Sequence, residues 1–165
     1  MRPLQQPHAA AERNGSSRSL EEVRDLLAAR GLRTTAQRLA VYRYLLQHRT
    51  HPSAAKIYED LSRDYPTMSR ATVYNTLDLL VGLGLVQQLD LGGAMARYDG
   101  NPEFHVHAVC ETCGSIADVE ADGALASLEG RIASRLGFTV SARRYEILGR
   151  CQRCTAKAGT GAAQG

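Results

Sequence analysis

The sequence has no apolar run of the ~18 residues that a membrane-spanning helix needs, so it predicts no such helix. Residues 1–19 also lack the apolar stretch that a signal peptide requires. Together these absences predict a cytoplasmic protein, and thiols stay reduced in that compartment. With 165 residues, 44% of them hydrophobic, the chain can bury a core in one ordinary domain or two small ones.

The sequence also lacks a large excess of either charge, since its net charge is only +3. Residues 1–90 carry 12 Lys and Arg against 9 Asp and Glu, whereas residues 91–165 carry 8 of each kind. The positive excess therefore lies entirely in the first part of the chain. It is compatible with a nucleic-acid-binding face there, and equally with an ordinary solvated surface.

Residues 1–18 are polar and are predicted to form a disordered tail. The rest of the first part of the chain is predicted to be mainly helical. Ser19 and Glu22 have the spacing of a capping box, and Ser53 and Ser69 stand where further helices need caps. Apolar residues then recur at helical spacing. The predicted helices are Ser19–Arg30, Thr35–His48, Ser53–Tyr65 and Ser69–Gly82.

A β-hairpin is predicted after the fourth helix. Two short extended runs, 85–90 and 95–99, flank Gly92 and Gly93. Helices followed by a hairpin are typical of a winged helix-turn-helix. Residues 19–98 are therefore predicted to form a DNA-binding domain whose fourth helix enters the major groove.

The second part of the chain has a different pattern, with shorter alternating segments. Residues 99–104 are predicted to be a hinge, 105–154 a small α/β domain, and 155–165 a disordered Ala- and Gly-rich tail. Its predicted elements are strands at Val106–Cys110 and Ser115–Val119, a helix at Leu125–Leu136 and a β-like run at Phe138–Leu148. The fold class is therefore α+β. A domain this small would gain stability from a metal and from dimerisation.

The four cysteines form two pairs, Cys110 with Cys113 and Cys151 with Cys154. Two residues between thiolates let both bind one ion across a tight turn. Four soft thiolates make a closed tetrahedral site that suits structural Zn²⁺. Two disulfides or redox-active pairs are the alternatives, and the reducing compartment and the doubled pattern disfavour both.

Histidines and carboxylates lie near the first cysteine pair. His105 and His107 alternate in a strand-like segment, so their imidazoles project to the same side. Asp99 lies upstream, Asp118 lies at the end of the next strand, and His51 lies between helices two and three. With no fifth cysteine, such a site contains only nitrogen and oxygen and favours ions such as Fe²⁺ and Mn²⁺. The alternative is a histidine pair with no metal role.

The chain resembles the ferric uptake regulator family from about Leu20 to Cys154. The motifs that carry the resemblance are Gly31-Leu-Arg-Thr-Thr-Ala-Gln-Arg38, His51-Pro-Ser-Ala-Ala-Lys-Ile-Tyr58, Ser69-Arg-Ala-Thr-Val-Tyr-Asn-Thr-Leu77, Arg97-Tyr-Asp99, His105-x-His107-x-x-Cys110-x-x-Cys113-Gly114 and Gly149-x-Cys151-x-x-Cys154. They occur in the family's order and span nearly the whole chain.

The resemblance implies a role for each metal-binding candidate. The four cysteines match the family's structural zinc ligands, and the regulatory metal ligands would be His51, Asp99, His105, His107 and Asp118. Metal bound by both halves would select the closed homodimer whose recognition helices fit successive major grooves. The implied cofactors are Zn²⁺ and either Fe²⁺ or Mn²⁺, with no organic cofactor.

The resemblance also implies residues that contact double-stranded operator DNA. Tyr74 matches a base-contacting tyrosine, and Asn75 is suited to adenine, so an A/T-rich palindromic operator is expected. Arg70 and Thr72 are expected at phosphates or bases, and Arg33 in a narrow minor groove.

Two departures point to a subgroup. Phe104, Val106 and the segment 142–144 stand where several iron regulators carry ligands of another metal site, and both regulatory carboxylates are Asp. This combination resembles the family's peroxide-responsive repressors, in which Fe²⁺ and H₂O₂ oxidise a ligand histidine. His51 or His105 is the expected target. Because the modification is stoichiometric, no enzyme is predicted.

Several alternatives remain at this point. One is an iron or manganese uptake regulator that does not sense peroxide. Zinc or nickel regulators usually add a cysteine or other histidines, which this sequence lacks. A zinc-ribbon redox protein would leave the winged-helix half unexplained.

Overall fold

The computed structural model describes residues 18–90, 95–101, 103–121, 123–139 and 145–161. The glycine pair of the predicted hairpin turn, the segment 142–144, nearly all of the predicted N-terminal tail and the last four residues of the C-terminal tail lie outside these ranges. None of the helices in these ranges has the length and hydrophobicity that a membrane span requires.

Four helices form the N-terminal half, by which we mean the described residues up to Asp99. They are α1 (Leu20–Ala29), α2 (Ala36–Gln47), α3 (Ala54–Leu61) and α4 (Arg70–Gly82). Each begins after a hydroxyl side chain that accepts a backbone N–H from the first turn, and the capping residues are Ser19, Thr35, Ser53 and Ser69. The capping box of Ser19 and Glu22 is confirmed.

The core of the N-terminal half lies where α1 to α4 meet. Its fully buried side chains come from every one of these helices and include Val23, Leu27, Val41, Tyr42, Leu45, Ile57, Val73, Leu77 and Leu80. The fourth helix therefore rests on a packed base and turns its opposite face to solvent.

A two-stranded wing follows α4. Strand β1 (Gln87–Leu89) pairs antiparallel with β2 (Arg97–Asp99). Strand β2 is also tied to the turn before α3, because the Tyr98 N–H donates to the Pro52 carbonyl over 3.0 Å. The helices and wing, together with the mixed sheet described next, confirm the predicted α+β fold.

The C-terminal half, from His105 onward, is built on a three-stranded sheet of order β4-β3-β5. Its elements are β3 (His105–Cys110), β4 (Ile116–Glu120), α5 (Gly123–Leu136), β5 (Glu146–Gly149) and α6 (Gln152–Gly161). Strand β4 runs antiparallel to β3, and β5 runs parallel to β3. A parallel pair needs a long crossover, and β4 and α5 lie in that connection.

Two predictions for the C-terminal half need correction. Among the described residues of the β-like run expected over Phe138–Leu148, only the last three, from Glu146 onward, belong to a strand. The tail expected to be disordered from Thr155 is instead helical as far as Gly161. The second cysteine pair starts this helix, because the N–H groups of Cys154 and Thr155 both donate to the Cys151 carbonyl. Ala156 and Lys157, both good helix formers, continue it.

Two candidate metal centres

The four cysteines lie together at one end of the C-terminal sheet. Parallel pairing places Cys110, the last residue of β3, opposite Gly149 at the end of β5. Each pair then turns tightly, so the four sulfur atoms all lie within 4.8 Å of one another. We call these four residues the thiol cluster. All four are free cysteines, with 3.8 Å between the sulfurs of Cys113 and Cys151, so no disulfide joins them.

The surroundings of the thiol cluster favour thiolates at some positions. Contact with the Ser115 hydroxyl and backbone N–H, and then with Arg153, lowers the pKa of Cys113 to about 5. The neighbouring Cys151 sulfur, by contrast, raises the pKa of Cys154 to about 12. Cys113 therefore ionises readily to a thiolate, whereas ionisation of Cys154 is unfavourable. A divalent cation would make that ionisation favourable, so the donor set fits a closed tetrathiolate metal site.

A second cluster lies between the two halves of the chain. Ligand atoms of His51, Asp99, His105 and His107 all lie within 4.8 Å of one another. Asp118 is adjacent, with its Oδ1 atom 2.9 Å from His51 Nε2 and 3.6 Å from His105 Nε2. All five residues that the sequence analysis grouped are therefore brought together, and we call them the N/O cluster.

The sheet explains how three members of the N/O cluster meet. His105 and His107 alternate along β3 and face the same side, with ring centroids 4.4 Å apart. His107 is the direct cross-strand partner of Asp118. The N-terminal half supplies the other two members, His51 from the turn before α3 and Asp99 from the end of the wing.

Most of the N/O cluster is buried without ordinary hydrogen bonds. Five buried atoms of the cluster have no hydrogen-bond partner among the described residues: both ring nitrogens of His51, the Nε2 atoms of His105 and His107, and Asp99 Oδ2. Yet Asp99 Oδ2 is 3.0 Å from His105 Nε2 and 3.6 Å from His107 Nε2. The Nε2 atoms and the carboxylate oxygen thus lie close together without hydrogen-bond geometry, as ligands converging on a common ion do. Because buried polar groups are rarely left unsatisfied, the cluster fits a bound cation better than a histidine pair with no metal role.

Hydrogen bonds and charge set the state of two members. His105 Nδ1 lies 2.7 Å from the Glu103 carbonyl, so this nitrogen carries the proton and Nε2 remains available as a ligand. The Asp99 carboxylate raises the pKa of His105 above its usual value. Burial by itself would raise the pKa of Asp99, but His105 and His107 outweigh it and hold that pKa well below its usual range. A carboxylate that stays ionised while buried is ready to bind a cation.

The predicted hinge is locally ordered by its own side chains. Asp99 Oδ1 accepts the Asn101 N–H over 2.9 Å, and Asn101 Oδ1 accepts the Glu103 N–H over 3.1 Å. From the wing, Gln87 Nε2 donates to the carbonyls of Asn101 and Glu103 over 3.2 and 3.3 Å. Gly100 packs so closely on α2 that a Cβ there would lie 2.8 Å from the Leu45 carbonyl. Sequence reasoning missed Gln87 and Asn101, because no local pattern shows which segment a lone amide will contact.

The predicted DNA-contacting residues of α4 lie on its solvent face. Tyr74 is 45% exposed, while Val73 and Leu77 beside it are fully buried, so Tyr74 is not a core aromatic. Asn75 is exposed as well. These placements leave both side chains free to meet a ligand in front of α4.

The other predicted DNA contacts lie at helix starts. The Arg70 guanidinium stacks 4.9 Å over the Tyr58 ring, which restrains it at the N-terminus of α4. Thr72, half-buried one turn into α4, has its hydroxyl 2.9 Å from that of Ser69. Arg33 is exposed before α2, and its carbonyl accepts from Arg38.

Comparison with known proteins gives a consistent result. The model of the ferric uptake regulator family matches residues 29–148. The peroxide operon regulator of Bacillus subtilis (strain 168) is 42% identical over 142 residues, which cover 86% of this chain and 97% of that protein.

Solved structures share the fold. The Campylobacter jejuni peroxide stress regulator has a TM-score of 0.65 at 28% identity, with 83% of this chain and 99% of that chain covered. The Helicobacter pylori ferric uptake regulator Fur has a TM-score of 0.75 at 22% identity, with 84% and 95% covered.

Substitution of one thiol tests the first centre. Cys113→Ser removes one of four sulfurs, so we expect this variant to retain no zinc and to unfold at a lower temperature than the native chain. Elemental analysis and differential scanning calorimetry measure the two effects. Ser115→Ala is the matched control, because it alters the hydrogen bonding of the same sulfur and keeps all four thiols. Retention of one zinc ion per chain by Cys113→Ser would refute a four-thiolate site.

Proposed function

Because this chain belongs to the ferric uptake regulator family, we propose that it is a metal-dependent transcriptional repressor that releases its operator in response to hydrogen peroxide. The observation that carries the proposal is the N/O cluster, whose ligands come from both halves of the chain. Ligands from both halves on one ion would fix the angle between the wing and the C-terminal sheet. An ion would therefore favour one arrangement over others, which is what a metal-dependent switch requires.

The two clusters differ in the ions that they suit. The thiol cluster offers four soft sulfur ligands and is assigned structural Zn²⁺. The N/O cluster offers imidazole nitrogens and carboxylate oxygens with no sulfur, and is assigned Fe²⁺ or Mn²⁺. In this assignment the thiol cluster holds the end of β3, and the N/O cluster is displayed on the same strand.

The solvent face of α4 is assigned to the major groove of operator DNA. Tyr74 would pack its ring on thymine methyl groups, and Asn75 would pair with adenine, so we propose an A/T-rich palindromic operator. Arg70, held by its stacking on Tyr58, would reach a phosphate or base edge near the start of the helix, as would Thr72.

A homodimer is proposed through the C-terminal half. Strand β5 lies at an edge of the described sheet, and Ile147 and Leu148 on it are 64% and 59% exposed. Leu136 and Phe138, just before it, are 74% and 60% exposed. An apolar patch beside an open strand edge is suited to association with a second copy.

Peroxide sensing is proposed to involve His51 or His105. Bound Fe²⁺ would reduce hydrogen peroxide. An adjacent imidazole ring would be oxidised in that reaction and would gain one oxygen atom. His51 is buried in the cluster, and His105 presents Nε2 to it, so both rings lie where that oxidation would occur. Oxidation of either ring would weaken a ligand and loosen the link between the halves. The modification consumes the repressor rather than turning over a substrate, so no residue is assigned a catalytic role.

Operator binding with different ions tests the proposal. Under anaerobic conditions we expect both Fe²⁺ and Mn²⁺ to raise operator affinity, and hydrogen peroxide to abolish binding only of the Fe²⁺-loaded protein. Mass spectrometry should then find one added oxygen atom on the peptide that contains His51 or His105. The Mn²⁺-loaded protein is the matched control, because the same ligands hold an ion that does not readily drive this chemistry. Fe²⁺-dependent binding that survives peroxide, with unmodified histidines, would instead favour an iron or manganese uptake regulator.

Substitution at Tyr74 tests the DNA face. Tyr74→Ala should weaken operator binding by about 1–3 kcal/mol, as expected for loss of a base contact. Zinc and manganese contents should stay unchanged, because Tyr74 belongs to neither cluster and is exposed rather than part of the core. Tyr74→Phe keeps the ring face and is the control expected to retain most of the affinity. Equal operator affinity of Tyr74→Ala and the native protein would remove α4 from the interface.

A further inference from the structure

His51 has an unusual backbone conformation for a metal ligand. Among the described residues other than glycine, it alone has a positive φ, at 50°. That region is disfavoured for residues with a side chain, and the following Pro52 restricts the backbone of His51 further. Such a conformation persists only where surrounding contacts hold it.

Those contacts come from strand β2 of the wing. The Arg97 guanidinium donates through Nη1 to the His51 carbonyl over 3.3 Å. The Tyr98 N–H donates to the Pro52 carbonyl over 3.0 Å, and Ser53 forms an antiparallel bridge with Arg97. Three consecutive residues of the turn thus rest on two consecutive residues of β2.

The other side of the same guanidinium lies near Gly114, in the turn that follows the first cysteine pair. A Cβ built on Gly114 would lie 3.9 Å from Arg97 Nη2. Gly114 follows Cys113 directly, has a φ of 67°, and donates its N–H to the Cys110 carbonyl over 2.8 Å. Arg97 therefore reaches from the wing to the turn that carries the first cysteine pair.

We propose that Arg97 is a positioning residue that links the two metal centres. It holds His51 in its ligand conformation before an ion binds, and it sets the wing against the cysteine turn. It acts through His51 and contacts no ion itself. This inference deepens the proposed function and rests on the regulatory role of the N/O cluster.

The shape of the guanidinium suits this role. Its donors lie in one rigid plane, so Nη1 can donate a hydrogen bond to the His51 carbonyl while Nη2 lies near Gly114. A lysine ammonium is a single point with a flexible stem, and it can hold only one of the two sides. Without the contact from the Arg97 side chain, the backbone of His51 would relax toward ordinary conformations. The apparent affinity for the regulatory ion falls with the fraction of chains in the competent conformation.

The test compares Arg97→Met, Arg97→Lys and the native protein in zinc-loaded form. Manganese binding is followed by the electron paramagnetic resonance signal of free Mn²⁺. We expect Arg97→Met to weaken Mn²⁺ binding by about 10- to 100-fold, the range typical for loss of a residue that supports a ligand. Arg97→Lys should lie between it and the native protein. Arg24→Met, which removes a positive charge from the exposed face of α1, is the matched control and should bind Mn²⁺ like the native protein.

Two further readouts separate positioning from general structural support. At saturating Mn²⁺, Arg97→Met should recover native operator affinity, because all five ligands and α4 remain. In the Mn²⁺-free protein, hydrogen exchange of the Tyr98 amide should be faster than in the native protein, with zinc content unchanged. Failure to recover at saturation, with faster exchange throughout the wing, would show a structural role only and overturn the proposal.

The remaining outcomes also decide the matter. Native Mn²⁺ affinity in Arg97→Met would overturn the positioning role while leaving the proposed function intact. Should Arg97→Met lose zinc or unfold, the Arg97→Lys comparison decides, and native affinity there would overturn the role. Absence of Mn²⁺ binding, or of any gain in operator affinity, in the native protein would instead refute the proposed function itself.

Discussion

Convergence of buried nitrogen and oxygen atoms between the two halves is the constraint on which the rest of the structure depends. Nearly all polar side-chain atoms that folding buries find a hydrogen-bond partner, yet five in the N/O cluster have none within the part of the chain that the structure describes. Keeping them so is unfavourable unless a cation takes the place of the missing partners. The ligands come from a turn and a wing on one side and from a sheet on the other. Binding of a cation to these ligands would therefore also stabilise one arrangement of the two halves.

The surrounding structure serves to present these atoms. Parallel pairing of β3 and β5 brings the cysteine pairs together at one end of the sheet, and the same strand β3 displays two histidines further back. On the other side, the wing does two things. Strand β2 ends in Asp99, and its preceding residues hold the turn that carries His51. The Gln87 amide then ties the wing to the predicted hinge. The turn of His51 and the predicted hinge are thus both tied to the wing by hydrogen bonds.

Much of this could be predicted from sequence, because the signals are local or chemically specific. Hydroxyl caps and apolar spacing predicted α1 to α4, and paired cysteines and alternating histidines predicted which side chains would meet. The supporting contacts could not be predicted in the same way. Arg97 contacts His51 although the two residues lie 46 positions apart in the sequence, and no periodicity indicates such a contact. Helix α6 was missed because glycines in its sequence suggested disorder, while the turn at Cys151 that starts it depends on the cysteine geometry.

In the proposed function, one ion acts by joining the two halves of the chain rather than merely by binding to the sheet. Operator affinity at saturating Mn²⁺ is compared for the native protein and for His51→Ala, which keeps Asp99 and the three ligands on the sheet and removes the ligand in the turn before α3. We expect His51→Ala still to bind Mn²⁺, although more weakly, and to gain little operator affinity when saturated. A gain equal to that of the native protein would contradict this role of the ion.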